Sequence, residues 1–278
     1  MIESIRKDEP SVLLLDCGAV FDKSRDTVEL HLKAMERMGY DALNLGSQEF
    51  AFGKEFLEYT HSSVSFPYIA SNLLYRGSKI PWTREYIIKE VGGIKVAILG
   101  VLNPDDLTNM KQTLVAGLEV IPPETALKRL LPEVRGKADL VILLSRFDVI
   151  GTFALVKATQ GVDVAISSGS DAIYLVREPE NTVLLQTGAQ GEKMGLLKIS
   201  LDEKKALSVS NRRYVSLDGS VPGNAEIGRL VEEFRKDQKE KTADLDKSEL
   251  EKTREGLQLS PKEFMERVQK EQQFPQYR

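Results

Sequence analysis

Among 278 residues there is one cysteine, Cys17, and two histidines, His31 and His61. A single cysteine excludes an internal disulfide framework and any CxxC or mixed Cys/His zinc site. Most two-metal hydrolases rely on several neutral imidazole ligands, and two histidines with no metal-type spacing argue against that chemistry. No apolar run is long enough to span a bilayer, and Met1–Asp8 carries no secretory signal. A basic surplus is also missing. The net charge is −4 and the pI about 5.5, so nothing tracks a phosphate backbone and nucleic acid is not expected as a partner. What remains is 41% hydrophobic and 29% charged residues, enough for one large core.

The patterning predicts an α/β protein. A short helix over residues 1–9 is expected to stop at Pro10. Val12-Leu13-Leu14-Leu15-Asp16 reads as a strand buried on both faces. Val28, Leu32, Met35 and Met38 recur at helical spacing ahead of Gly39, a natural C-cap. Ala42–Gly46 is the next strand, and strand–helix–strand favours a parallel sheet. A further strand is expected over Tyr68–Asn72. Two apolar runs around Gly92-Gly93 predict a β-hairpin with a primed turn. Helix 124–134, strand 139–145, helix 151–159 and strand 162–167 come next, then an antiparallel end section over 182–187, 195–201 and 207–216. Ala225–Lys241 reads as a charged amphipathic helix with Ile227, Leu230, Val231 and Phe234 on one face. Ser260-Pro261 has the form of a new helix start. The expected division is a domain over 1–221 and a charged helical extension or linker over 222–278.

Several blocks, taken together, resemble the N-terminal domain of the 5′-nucleotidase branch of the calcineurin-like metallophosphoesterases. Leu13–Phe21 is similar to "LLLDAGDxF". Met38–Gly53 is similar to "LGYDALTLGNHEFDFG", and Phe66–Asn72 to "FPxLxAN". Val91–Ala97 resembles the start of "VGGVKVGIIG", and Ala138–Arg146 resembles "ADVVIVLSH". Gly161–Asp171 stands where "GIDVIIGGHTH" would, and Gln186–Leu197 is similar to "QAGAYGxxLGRL". The blocks run in family order over residues 1–240. The resemblance implies an α/β/β/α sandwich of two mixed sheets with helices outside, carrying a two-metal phosphoester hydrolase site.

The departures fall on that site. The bridging aspartate of "DAGD" is Ala19, next to the retained Asp16. The asparagine of "GNHE" is Ser47, and the histidine that protonates the leaving group is Gln48. The histidine of "LSH" is Arg146, and the two of "GGHTH" are Gly169 and Asp171. Alanine and glycine donate nothing, a permanently cationic arginine repels a dication, and one aspartate cannot hold two ions. No cofactor is therefore expected. Set against the resemblance, the sequence as given is expected to start after the family's first strand and to stop before its second, nucleoside-recognising domain. Both ends look cut, so a fragment of a larger protein is expected: periplasmic or exported if so, otherwise soluble in the cytoplasm. Its partner would be an unknown protein or the rest of a parent chain, with a homodimer as a further option.

Three functions are compatible with this sequence. One is a degenerate binding or scaffolding module. Another is a metal-dependent (Mn or Zn type) hydrolase using Asp16, Asn44 and Asp171 with ligands outside this chain. The third is a redox accessory built on Cys17. Arg146 either binds an anion or pairs with Asp148 or Asp171 inside the emptied site. Glu49 and Trp82 are expected to be structural, His31 and His61 surface residues, and Asn72 a strand-end hydrogen-bonder or a nucleotide contact. Ser167–Ser170 could cradle an anion on backbone N–H groups.

Overall fold

The computed structural model describes residues 1–168, 182–186, 191–258 and 263, with side chains through residue 243 and at residue 263. In chain order the elements are α1 (Ile2–Asp8), β1 (Leu15–Asp16), α2 (Arg25–Met38), β2 (Ala42–Asn44), a 3₁₀ turn (Ser47–Phe50), α3 (Lys54–Ser62), β3 (Tyr68–Ile69), β4 (Leu73–Tyr75), β5 (Tyr86–Val91) and β6 (Ile94–Val101). They continue with α4 (Pro104–Thr108), β7 (Leu118–Val120), α5 (Pro123–Arg135), β8 (Leu140–Ser145), α6 (Val149–Thr159), β9 (Val164–Ser167), β10 (Val183–Gln186), β11 (Lys193–Leu201), β12 (Leu207–Ser216) and α7 (Ala225–Gln258). The chain divides into two units, Met1–Gly223 and Asn224–Arg278.

In the first unit, β1, β2 and β3 form a parallel three-stranded sheet in that order. A five-stranded sheet runs β10-β9-β8-β6-β5, parallel except for the β5–β6 hairpin. The period of two along each strand sorts the side chains into layers. On β6, Val96 and Ile98 face the same core as Leu140, Ile142 and Leu144 of β8, together with Ala42 and Ile69 from the three-stranded sheet. This core lies between the two sheets. Ala97, Leu99 and Val101, with Val141 and Leu143, point the other way onto Leu127, Leu130 and Val134 of α5 and Leu155 of α6. On the far side, Leu43 and Tyr68 pack on Val28, Leu32 and Met35 of α2 and on Phe56 and Leu57 of α3. Helix, sheet, sheet and helix lie in that order, the metallophosphoesterase-like sandwich.

Local chemistry explains most element ends. Ser24 caps α2 by accepting from the Thr27 N–H, and Gly39 closes it in the left-handed region at φ 70°. Gly92 and Gly93 turn the β5–β6 hairpin with φ of 60° and 78°, as a primed turn requires.

The structure departs from the sequence-based expectations at five places. The Val12–Asp16 run is a strand only over Leu15–Asp16, and its apolar residues are half-buried, because β1 is an edge that pairs with β2 alone. The Tyr68–Asn72 strand ends at Ile69; a turn precedes β4, which pairs with β7 in a separate two-stranded sheet. β10 is not part of an antiparallel end section: it lies parallel to β9, and only β11 and β12 pair antiparallel. In the second unit, α7 runs on past Lys241 to Gln258, since no proline interrupts it there. The fifth is the two histidines, expected on the surface but both half-buried, His31 on α2 and His61 on α3. Ser260-Pro261 lies outside the described residues. Among the described residues, no helix is long and apolar enough to cross a membrane.

Candidate functional site

The carboxyl ends of the parallel strands in both sheets converge on one corner, the place where open α/β sheets usually bind ligands. β1 delivers Asp16, Cys17, Gly18 and Ala19. β2 delivers Asn44 and, through Leu45, the Gly46-Ser47-Gln48-Glu49 turn. β6 leads into α4 with Asp106, β8 ends on Ser145-Arg146, and β9 ends on Ser167.

Arg146 ties the corner together. Its backbone N–H donates to the Val101 carbonyl (3.1 Å), which fixes it beside β6. Its side chain then crosses to the other sheet, where Nη1 donates to the Gly18 carbonyl (3.2 Å). The stem lies so close to Gly46 that a Cβ there would stand 2.6 Å from Nε. Gly18 is needed for the same closeness: its φ is +93°, and a Cβ would meet the Asn44 carbonyl oxygen at 2.5 Å. Nε itself is buried with no hydrogen-bond partner. Among the described residues Arg146 makes no ion pair. Asp148, one of its two expected partners, is occupied elsewhere: it caps α6 by accepting from the Gly151 N–H (2.7 Å).

Three carboxyl groups feel the charge of this guanidinium. Asp16 accepts from the Gly18 N–H (2.8 Å), and burial, reinforced by Glu49, lifts its pKa from 3.8 to about 6. Glu49 is fully buried and accepts from the N–H groups of Val20 and Gly46, both at 2.7 Å. Burial raises its pKa too, against those hydrogen bonds and the field of Arg146. Asp106, which sequence reasoning missed, is raised by burial and lowered by Arg146, and its Oδ2 has no partner. The only signal for it was its place just after the β6 terminus.

The other candidate residues have mostly structural surroundings. Ala19 holds φ at 70°, a left-handed conformation unusual for alanine. Gln48 is exposed, and its amide, oriented to donate, reaches the carbonyls of Ala19 (2.9 Å) and Phe21 (3.1 Å). Ser47 is half-buried on the same turn. Asn44 is fully buried, and its Nδ2 donates to the carbonyls of Val101 (3.1 Å) and Cys17 (3.3 Å). Asn72 is a structural clasp: it donates to the carbonyls of Leu102 and Ile121 and accepts from the Leu102 N–H. The Cys17 thiol is buried, donates to the Ile166 carbonyl (3.2 Å), and is pushed up to about 12 by burial and Asp16. A buried thiol held protonated in this way is a poor nucleophile. Of the expected anion loop, Ser168 donates its backbone N–H to the Ser145 carbonyl (2.9 Å), while Gly169, Ser170 and Asp171 lie outside the described residues.

His31 sits on α2 with Nδ1 3.3 Å from the Val20 carbonyl oxygen. His61 is not the surface residue expected: its ring lies 4.9 Å from that of Tyr68, which half-buries it. Neither histidine reaches the corner.

These residues do not fit a two-metal centre. Among the described residues no three His, Cys, Asp or Glu side chains group as ligands. Asn44 turns its amide nitrogen to two carbonyls, and the guanidinium of Arg146 lies across the Gly46 backbone with its positive charge.

No protein-family model matches the chain. The fold is that of the calcineurin-like phosphoesterases. It aligns with the solved structure of the calcineurin-like phosphoesterase YfkN from Bacillus subtilis at TM-score 0.74 and 19% identity, over 85% of this chain and 86% of that one. By sequence the chain is a homologue of 5′-nucleotidases and metallophosphoesterases. It is 29% identical over 272 residues to the 5′-nucleotidase of Bos taurus, covering 84% of this chain and 46% of the relative. It is 25% identical over 257 residues to the metallophosphoesterase YunD of Bacillus subtilis, covering 87% and 55%. The chain thus spans about half the length of these curated relatives.

Proposed function

We propose that this chain is a catalytically degenerate 5′-nucleotidase-like domain that serves as a binding or scaffolding module. The observation that carries the reading is the position of Arg146. A two-metal hydrolase needs ligands that converge on two cations. Here a fixed cation spans the two sheets in the corner itself, held by the Gly18 carbonyl and packed on Gly46. Asp16, Glu49 and Asp106 all feel the field of that cation. Gln48 stands at the position that the resemblance gives to a proton donor, and an amide does not titrate. The role left to such a domain is to present its surface to a protein partner, to a second copy or to the rest of a parent chain.

The test is elemental analysis of protein purified without chelator, with turnover of p-nitrophenyl phosphate and of nucleotides followed in added Mn²⁺. Metal well below one equivalent and no turnover above the blank are expected. Near-stoichiometric metal together with turnover would overturn the proposal.

A further inference from the structure

A second concavity lies apart from the Arg146 corner, at the outer edge strand of the three-stranded sheet. It has a volume of about 320 Å³ and is lined by Glu58 and His61 of α3, Tyr68 of β3, and Trp82 and Arg84 of the segment leading into β5. None of these side chains belongs to the Arg146 corner, so a ligand here is independent of the proposed function.

The walls are fixed before any ligand arrives. The Trp82 N–H donates to the Leu73 carbonyl (3.0 Å), the Ala70 N–H donates to the Arg84 carbonyl (3.0 Å), and the Thr83 hydroxyl donates to the Tyr68 carbonyl (3.0 Å). The segment 82–84 is thereby laced to β3 and β4 as a rigid lip. The Trp82 ring leans on buried Phe50, with centroids 5.8 Å apart, and the His61 ring lies 4.9 Å from that of Tyr68. Tyr68 is 1% exposed, and its hydroxyl is buried without a hydrogen-bond partner. Burial and the Arg84 charge hold His61 below its ordinary range, so near neutral pH its ring is uncharged and offers a flat face.

Charge decides what such a cavity selects. Glu58 on the α3 wall and Arg84 on the lip are both exposed, and among the described residues neither makes an ion pair. An anion would suit Arg84 and meet Glu58; a cation would do the reverse. A neutral apolar ligand would use neither charge. A molecule carrying both signs and a planar ring matches all the walls at once. We infer that this cavity binds an aromatic α-amino acid, with the carboxylate on Arg84, the ammonium on Glu58 and the ring against Trp82 and His61.

Trp82 is the only tryptophan, so its fluorescence reports on the cavity directly. The full chain is titrated with L-phenylalanine, and in parallel with 2-phenylethylamine, 3-phenylpropionate and alanine. His61, one of only two histidines, gives a second readout through its ring-proton resonances. Expected is a saturable change with phenylalanine in both readouts, with 2-phenylethylamine and 3-phenylpropionate weaker by about tenfold or more, as for loss of a charge-assisted hydrogen bond, and alanine weaker for want of the ring. Arg84→Gln should weaken phenylalanine by about the same factor while leaving 2-phenylethylamine unchanged, and Glu58→Gln should spare 3-phenylpropionate instead. Both side chains are exposed, and a thermal melt verifies that the variants fold. Silence in both readouts up to millimolar phenylalanine would overturn the inference. So would equal responses to all four compounds, which would indicate nonspecific contact.

Discussion

Single side chains decide the character of the corner, and two substitutions test how. Gly46 has an ordinary backbone conformation, φ −139°, so alanine there is opposed only by the Arg146 stem 2.6 Å away. Gly46→Ala should cost about 1–3 kcal/mol by overpacking. In the Arg146→Ala background the same change should cost far less, and urea denaturation of the four proteins in this cycle measures the coupling. Asp16 tests the electrostatics. Its folded pKa of about 6 lies above its ordinary 3.8, so between these values the folded state binds more proton than the unfolded chain. The stability it contributes is present below about pH 4, falls as pH rises toward 6 and is flat beyond. Asp16→Asn keeps an oxygen for the Gly18 N–H and cannot ionise. It should raise the urea midpoint at pH 7.5, leave it nearly unchanged at pH 4, and so flatten the slope between. Glu49 and Asp106 are raised as well and titrate in the same sense, so part of the slope should remain.

At the scale of elements, β8 anchors the larger sheet. All six of its residues are buried, and Leu143, fully buried, packs against the α5–α6 layer. Leu143→Ala should cost about 2–5 kcal/mol, read from the denaturation midpoint, with the secondary-structure spectrum unchanged. β8 was legible in the sequence because five apolar residues in a row leave no other reading. The hairpin was legible because Gly92-Gly93 permits little else, and α2 because its period and its glycine cap agree. What escaped depended on contacts between distant residues. A four-residue strand such as β10 carries no mark of its direction, and only its pairing with β9 makes it parallel. α3 was passed over, and with it the stacking of His61 on Tyr68, which joins residues from separate elements. The substitutions at Ala19, Ser47, Gln48 and Arg146 could be read from position alone. That Arg146 would reach the Gly18 carbonyl, 128 residues away, could not, since nothing local specifies which backbone oxygen a long side chain will find.

For the whole molecule, among the described residues every member of the three apolar clusters precedes Asn224, the last being Leu207. A chain ending at Gly223 should therefore unfold cooperatively with a midpoint within a few degrees of the full chain, as differential scanning calorimetry would check; loss of the transition would mean that the second unit completes the first. The order of strands in the five-stranded sheet also governs how the chain gets there. β5 and β6 meet across a two-residue turn, whereas β8 must find β6 after a separation that sets Val96 against Leu140. Hairpins close in microseconds, while distant parallel pairings wait on loop closure. During that delay Leu140-Val141-Ile142-Leu143-Leu144 is an uncharged ribbon free to pair with its counterpart in another chain. Asp139 stands just before it and Arg146 one serine beyond its end; flanking charges oppose such pairing, so the arginine that fills the corner of the finished fold sits where a gatekeeper against aggregation would be placed.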